Sequence, residues 1–174
     1  GFYGEGLDKF DPVTGKFTHY RHNPKDESSL SSDVVSALLV DHLGNVWIGS
    51  NGGLDLLDQK TGRFKHHIHN ETDLSSLSHH AVRALYEDKA GEIWVGTGFF
   101  ADVNIGGLNR FHRDTETFTR YLSDPANPNT LIDNRVEAIF EDSQGTFWVG
   151  TSGEGLHIMD RKTGLFKRLT YDPS

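Results

Sequence analysis

Between Asp33 and Ile68 the chain alternates apolar stretches with polar punctuation on a short beat. Asp33 to Val40 (DVVSALLV) is nearly all apolar, as a strand covered on both faces would be. Asp41-His42-Leu43-Gly44 has hairpin chemistry. The Asp side chain accepts from backbone N–H groups within such a turn, and Gly takes a positive φ freely. Val46 to Gly49 predicts a second strand, Leu54 to Leu57 a third and Phe64 to Ile68 a fourth. The turn Asp58-Gln59-Lys60-Thr61-Gly62 joins the last two, and HNETDLSSLSHH then reads as a surface connection. The order returns as Ala81 to Glu87, Ile93 to Gly96, Gly107 to Phe111 and Phe118 to Leu122. It returns again as Arg135 to Glu141, Phe147 to Gly150, Leu156 to Met159 and Phe166 to Thr170. The start of the chain holds only the last two strands of such a unit, Gly6 to Phe10 and Lys16 to Tyr20, around the turn Asp11-Pro12-Val13-Thr14-Gly15. No segment sustains a 3.6-residue apolar period, so essentially no helix is predicted.

The repetition extends to single residues. DHLGNVWIGSNGGL (41–54), DKAGEIWVGTGFFADVNIGGL (88–108) and DSQGTFWVGTSGEGL (142–156) share an Asp, a Gly three residues on, a Trp three further and a Gly two after that. Each ends in Gly-Leu. By subtraction of their numbers, Gly6 to Trp47, Gly53 to Trp94 and Gly107 to Trp148 are each 41 residues apart. All length variation therefore falls between the Trp and the next Gly-Leu. That segment must be a loop at the rim of the unit, because an insertion within a paired strand would shift its register. The second copy carries its additional residues there, from Gly98 to Ile105.

A period of this size made of short strands is the signature of propeller blades. The predicted fold is all-β: three four-stranded antiparallel blades plus a two-stranded partial blade. The half blade covers residues 1–22, and the blades cover 31–70, 79–122 and 133–171 of one partial propeller domain. The apolar first strand of each unit is expected innermost. Trp47, Trp94 and Trp148 share one register and Phe17, Phe64, Phe118 and Phe166 another, and both sets are read as packing between blades. The turn before the fourth strand contains Thr61-Gly62 and Thr163-Gly164, but Thr115-Glu116 in the second unit.

Composition narrows the function. A net charge of −8 disfavours a nucleic-acid partner. The absence of Cys excludes disulfides and thiolate metal sites. No apolar run approaches the length of a membrane span and no signal peptide opens the chain. Beginning within a repeat, it reads as a piece of something longer.

The pattern V-x-A-[IL]-x-[EV]-D-x-x-G-x-[FIV]-W-[IV]-G-[ST]…G-L, followed by TG-x-F and a Ser-Leu-rich connection, resembles the two-component regulator propeller repeat. The resemblance covers nearly the whole chain. It implies the periplasmic sensor region of a bacterial hybrid histidine kinase, anchored to the membrane in the parent protein. Such regions commonly have seven blades and respond to nutrients, often glycans or their breakdown products. This chain has fewer blades, and no kinase, membrane span or DNA-binding module.

The candidate chemistry is sparse. Asp41, Asp88 and Asp142 share a register, but each lies in its own turn, which favours turn capping over catalysis or metal binding. His66, His67, His69, His79 and His80 cluster in sequence. His67 and His69 would share a face of a strand and so a divalent metal, against which solvated loop histidines are the simpler reading. No nucleophile elbow, phosphate loop or metalloprotease signature is present, so no catalytic residue, metal or cofactor is assigned. Two places suit a ligand. Ser36, Arg83 and Glu137 are equivalent polar positions on otherwise apolar inner strands and would face the axial channel. There Arg83 and Glu137 either pair with each other or hold a polar ligand. The insertion offers Phe99, Phe100, Asp102 and Asn104 to a sugar or a partner, or packs its two Phe rings on the next blade. The expected role is ligand recognition, of a small molecule or oligosaccharide, with transmission to the rest of the receptor. The alternatives are a propeller enzyme (polysaccharide lyase or glycosidase) and a structural interaction module. Self-association is expected of the fragment through its open terminal sheets.

Overall fold

The computed structural model describes residues 4–99, 101, 105–152 and 155–169. Each Asp-x-x-Gly turn closes a hairpin. The N–H of Gly44, Gly91 and Gly145 donates to the carbonyl of Asp41, Asp88 and Asp142 at 2.8–3.1 Å. These turns, and those of the Asp-x-x-Thr-Gly type, string the fourteen strands into meanders. The first is β1 (Leu7–Asp11) with β2 (Lys16–Tyr20). The second is β3 (Val35–Val40), β4 (Val46–Ser50), β5 (Gly53–Asp58) and β6 (Arg63–His67). The third is β7 (Val82–Glu87), β8 (Ile93–Gly98), β9 (Gly106–His112) and β10 (Thr117–Tyr121). The last is β11 (Val136–Glu141), β12 (Phe147–Thr151), β13 (Gly155–Asp160) and β14 (Leu165–Leu169). All pairs are antiparallel and in sequence order, and only strands occur among the described residues. This is a propeller segment of three blades and a two-stranded part.

The cores lie between sheets, as expected of units that cannot bury their own faces. One joins Trp47 and Leu54 of the first full sheet to Val82, Ile93 and Phe111 of the second. The next joins Trp94 and Leu108 to Val136, Phe147 and Phe166. Trp47 meets Phe111 at 5.1 Å and Trp94 meets Phe147 at 4.8 Å between ring centroids. The Trp-x-Gly spacing has a steric reason. A Cβ on Gly49 would come within 2.5 Å of Val82 Cγ1, and one on Gly96 within 2.8 Å of Val136 Cγ1. The glycine is the hollow into which the next blade's first-strand valine fits. Phe64, Phe118 and Phe166 are buried as expected, but Phe17 is 57% exposed. Its equivalents look toward the preceding sheet, and no described strand lies on that side of β1–β2. In the turn without glycine, Glu116 itself adopts φ 57°, a left-handed conformation that glycine fills in the other three turns.

The long connections between blades are clasped from both sides. Ser31 N–H donates to Asp55, Ser78 N–H to Asn109 and Ile132 N–H to His157. A cation on the neighbouring strand then holds connection carbonyls: Arg120 those of Asp73, Ser76 and Leu77, and Arg168 those of Asn127, Thr130 and Leu131. In the first blade that cation is His66. Its Nδ1 lies 2.6 Å from the buried Asp55 carboxylate and its Nε2 2.7 Å from Glu27 O. Two acceptors require both ring nitrogens to carry protons. Burial opposes that charge, but the Asp55 hydrogen bond and charge, with the Glu27 carbonyl, raise the pKa above its ordinary value. Its neighbour His67 behaves oppositely. Packed against Trp47, Phe111 and Phe118, it is held below the usual value by burial. His157 is lowered too, chiefly by burial.

The signs give a pH profile. The His66 contribution is complete below about pH 6.5, the unfolded value, and is lost as pH rises through its raised folded value. Those of His67 and His157 are present above about pH 6.5 and are lost as pH falls through their depressed ones. Denaturant midpoints are therefore expected to decline on both sides, and His66→Arg is expected to flatten the alkaline side alone. An unaltered alkaline decline in His66→Arg would refute the assignment.

Candidate functional site

Ser36, Arg83 and Glu137 share one structural position. Each is the extra residue of a β-bulge where the inner strand begins: register slips between Val35 and Ala37, Val82 and Ala84, and Val136 and Ala138. A bulge re-aims a side chain that the pleat would otherwise bury. The three differ in what they do there. Ser36 Oγ donates to Val82 O of the next blade at 2.5 Å and to Gly49 O at 3.1 Å, so its hydroxyl stitches two sheets together. Arg83 Nε reaches Glu137 Oε2 of the next blade at 3.5 Å, with both side chains partly exposed. This is the cross-blade pair, at a separation and exposure that leave both groups free to exchange partners.

The strand order places these bulges on the same rim as the β8–β9 hairpin. Val82 pairs with Thr97 at the end of β8, next to Gly98. The base of the insertion sits on the following blade: a Cβ on Gly98 would lie 2.8 Å from Arg135 Cα, and one on Gly106 2.6 Å from Asn134 O. Phe99 is half-buried there. Phe100, Asp102 and Asn104 lie outside the described residues. The structure therefore gathers Arg83, Glu137 and the foot of the insertion on one rim, while Ser36 belongs to the blade contact.

Asp41, Asp88 and Asp142 sit at the opposite ends of the sheets and do more than cap turns. Asp88 accepts from the Ala90 and Glu92 N–H groups (2.9 and 3.0 Å) and from Trp94 Nε1 (2.9 Å). Asp41 and Asp142 bind Trp47 and Trp148 in the same way. Each of the first two also takes an arginine from the next blade. Arg113 bridges Asp41 (2.8 Å) and Glu87 (3.2 Å), and Arg161 bridges Asp88 (2.7 Å) and Glu141 (2.9 Å). The glutamate completes the clasp by accepting the N–H after the preceding blade's Asp, from His42 (2.8 Å) and Lys89 (3.0 Å). Burial would raise the Asp41 pKa, but the Trp47, Asn45 and Arg113 hydrogen bonds outweigh it and keep the carboxylate ionised. Sequence reading missed this clamp, since its partners are 72 and 73 residues apart. A visible signal existed: Arg113 and Arg161 each stand two residues after the buried Phe111 and Met159 that end the third strand's core.

His67 and His69 do not come together. His67 is in the aromatic contact between blades, whereas His69 Nδ1 bonds Leu77 O at 2.7 Å. No group of three His, Asp or Glu side chains positioned to hold a metal occurs among the described residues.

The family described as "Two component regulator propeller" matches residues 29–52, 76–99 and 130–153. These are the connection, first two strands and clamp aspartate of each full blade. Comparison with curated proteins finds no match. Among solved structures, the extracellular domain of a hybrid two component system from B. thetaiotaomicron is similar at 25% identity, with a TM-score of 0.73 over 95% of this chain. The extracellular domain of a one component system from the same organism is similar at 21% identity and TM-score 0.75 over 97%. The chain spans 21% and 23% of those two chains. Virginiamycin B lyase from Staphylococcus aureus shares the fold at 18% identity and TM-score 0.64. Three matched stretches, each on the same strands of a blade and each carrying the same Asp–Trp bond, give the chain three copies of a unit similar to the two component regulator propeller repeat.

Proposed function

We propose that the segment is a non-enzymatic part of an extracytoplasmic sensor propeller, held at the membrane by its parent receptor and coupled to a histidine kinase. Its stimulus is a carbohydrate or another nutrient, met at the rim that carries Arg83, Glu137 and the insertion. The observation that carries this reading is the threefold family match, supported by the likeness to the extracellular domain of a hybrid two component system. The rim suits a polar ligand because its ion pair is partly solvated and spans two blades, so a ligand that displaces it alters a blade contact. The lyase likeness, at 18% identity, is one of fold and does not transfer an activity.

The test has two arms. Calorimetry of the chain with xylohexaose and with trigalacturonate is expected to show binding of one of them. Arg83→Ala is expected to weaken that binding about tenfold, the loss of one charged hydrogen bond. In a receptor containing this segment, Arg83→Ala with Glu137→Ala is expected to displace the dose response by a similar factor. Heat from neither sugar, together with an unmoved dose response, would remove the rim from consideration.

A further inference from the structure

A cleft follows the connection between the second and third full sheets. Its walls are Ser123, Pro125, Ile132, Asn134 and Arg168, and its volume is about 520 Å³, within the range of small-molecule sites, about 300–1,000 Å³. The inner end is Asn134, which stands three residues before Glu137 of the rim. A Cβ on Gly106, at the foot of the insertion, would lie 2.6 Å from the Asn134 carbonyl. The outer end is formed by Ser123, which follows β10, and by Arg168 of β14. Pro125 and Ile132 supply apolar surface. Ser123 Oγ donates to Ile132 O at 3.3 Å and keeps lone pairs for a hydroxyl donor.

Arg168 gives the cleft its charge. Its Nε and Nη2 hold the carbonyls of Thr130, Asn127 and Leu131, whereas Nη1 donates to no described residue. The carboxylates of this connection are engaged elsewhere. Asp124 accepts the Ala126 N–H at 2.9 Å, and Asp133 takes the Arg135 guanidinium at 3.0 Å. The other two connections differ at a single informative position. Asp26 and Asp73 stand where Asn127 does, and each caps the N–H two residues on, as Asn127 caps that of Asn129. The equivalence is also marked by the arginines, since Arg120 holds Asp73 O at 2.8 Å and Arg168 holds Asn127 O at 3.1 Å. The corresponding cleft of the first full sheet, of about 460 Å³, has Asp26 and Glu27 in its wall, and both ring nitrogens of its His66 are committed. Of the three connections, only the third combines a spare guanidinium donor with an uncharged residue at this position.

We infer that this cleft is a subsite for an acidic sugar. The carboxylate of a hexuronate residue pairs with Arg168 Nη1, its ring lies against Pro125 and Ile132, and the oligosaccharide continues inward past Asn134 to the rim. A carboxylate at position 127 would repel such a ligand, which is why the first two connections do not offer the same subsite. The inference rests on the carbohydrate reading above and narrows it to acidic oligosaccharides.

The test is calorimetry of the whole chain with trigalacturonate and with its trimethyl ester, which has the same shape without the charge. The acid is expected to bind at least about tenfold more tightly than the ester, the effect of one charged hydrogen bond. Asn127→Asp is expected to weaken the acid by a similar factor and to leave the ester unchanged. It keeps the turn cap, because Asp26 and Asp73 already cap in that way. Asn23→Asp makes the same charge change in the first connection and is expected to alter neither. Equal affinity for acid and ester, no heat from trigalacturonate, or equal weakening by Asn127→Asp and Asn23→Asp would each overturn the inference. The rim is judged separately. Weakening by Arg83→Ala with indifference to esterification and to Asn127→Asp would keep the rim and remove the cleft. The reverse pattern would keep the cleft and remove the rim.

Discussion

Asp88→Ala is expected to destabilise the protein by about 3–5 kcal/mol, the range for removing one partner from a buried, hydrogen-bonded charge pair. The carboxylate is almost wholly buried and accepts from two turn N–H groups, the Trp94 indole and Arg161. Alanine leaves the indole N–H and both amides without an acceptor, and leaves Arg161 with Glu141 alone. The equivalent substitution at the end of the chain is an internal control. Asp142 keeps the turn and indole bonds but has no arginine from the described residues, and its turn is open to solvent. Asp142→Ala is therefore expected to cost clearly less than Asp88→Ala, as the loss of a solvated hydrogen-bonded cap does. Urea denaturation of both variants decides the matter. Equal losses would mean that the aspartates act only within their turns and that the arginine clamp contributes nothing between blades.

Trp94→Ala is the second large effect, expected at about 3–5 kcal/mol, as for other buried aromatics cut to alanine. The ring is 1% exposed and lies between Tyr121 on its own sheet and Phe147 on the next. Its removal opens a cavity between two sheets that are held apart by their other contacts, and it also takes a partner from Asp88. Trp148→Ala removes the same side chain from a face that no described sheet covers, so solvent fills the space. Its cost is expected to be about half as large. Thermal unfolding followed at each variant's remaining indoles measures the difference. A Trp148→Ala loss as large as that of Trp94→Ala would contradict the claim that these indoles stabilise chiefly by packing between sheets.

Most of the fold was legible because its determinants are local and repeated. The Asp-x-x-Gly turns, the Trp-x-Gly spacing and the constant interval to the Trp define strands that the structure reproduces within one or two residues at their ends. Even the exceptional turn could be located: Thr115-Glu116 lacks the usual glycine, and Glu116 takes the left-handed conformation itself. What stayed hidden depends on neighbours distant in sequence. The equivalence of Phe17 with Phe64 was readable, but its exposure follows from which sheet lies in front of it. The aspartates could be read as turn caps, whereas their second bond requires an arginine one repeat further on. Ser36, Arg83 and Glu137 were recognisable as polar positions on an apolar strand, but not as bulge residues, because a bulge is a property of the pairing and not of one strand. His66 looked like one of several loop histidines; its charge is set by Asp55 across the strand and Glu27 in a connection.

The hairpin joining the second and third strands alone varies in length from blade to blade, and it begins after the last ladder pair, at Thr97–Gly107 and Gly98–Gly106 in the longest case. Residues gained or lost there shift no register and touch neither the indole nor the carboxylate, both anchored at the far end of the sheet. Each blade can thus change its loop independently of the others. A lineage assembled from such blades can remodel its rim, one loop at a time, while the stacked sheets beneath are inherited unchanged.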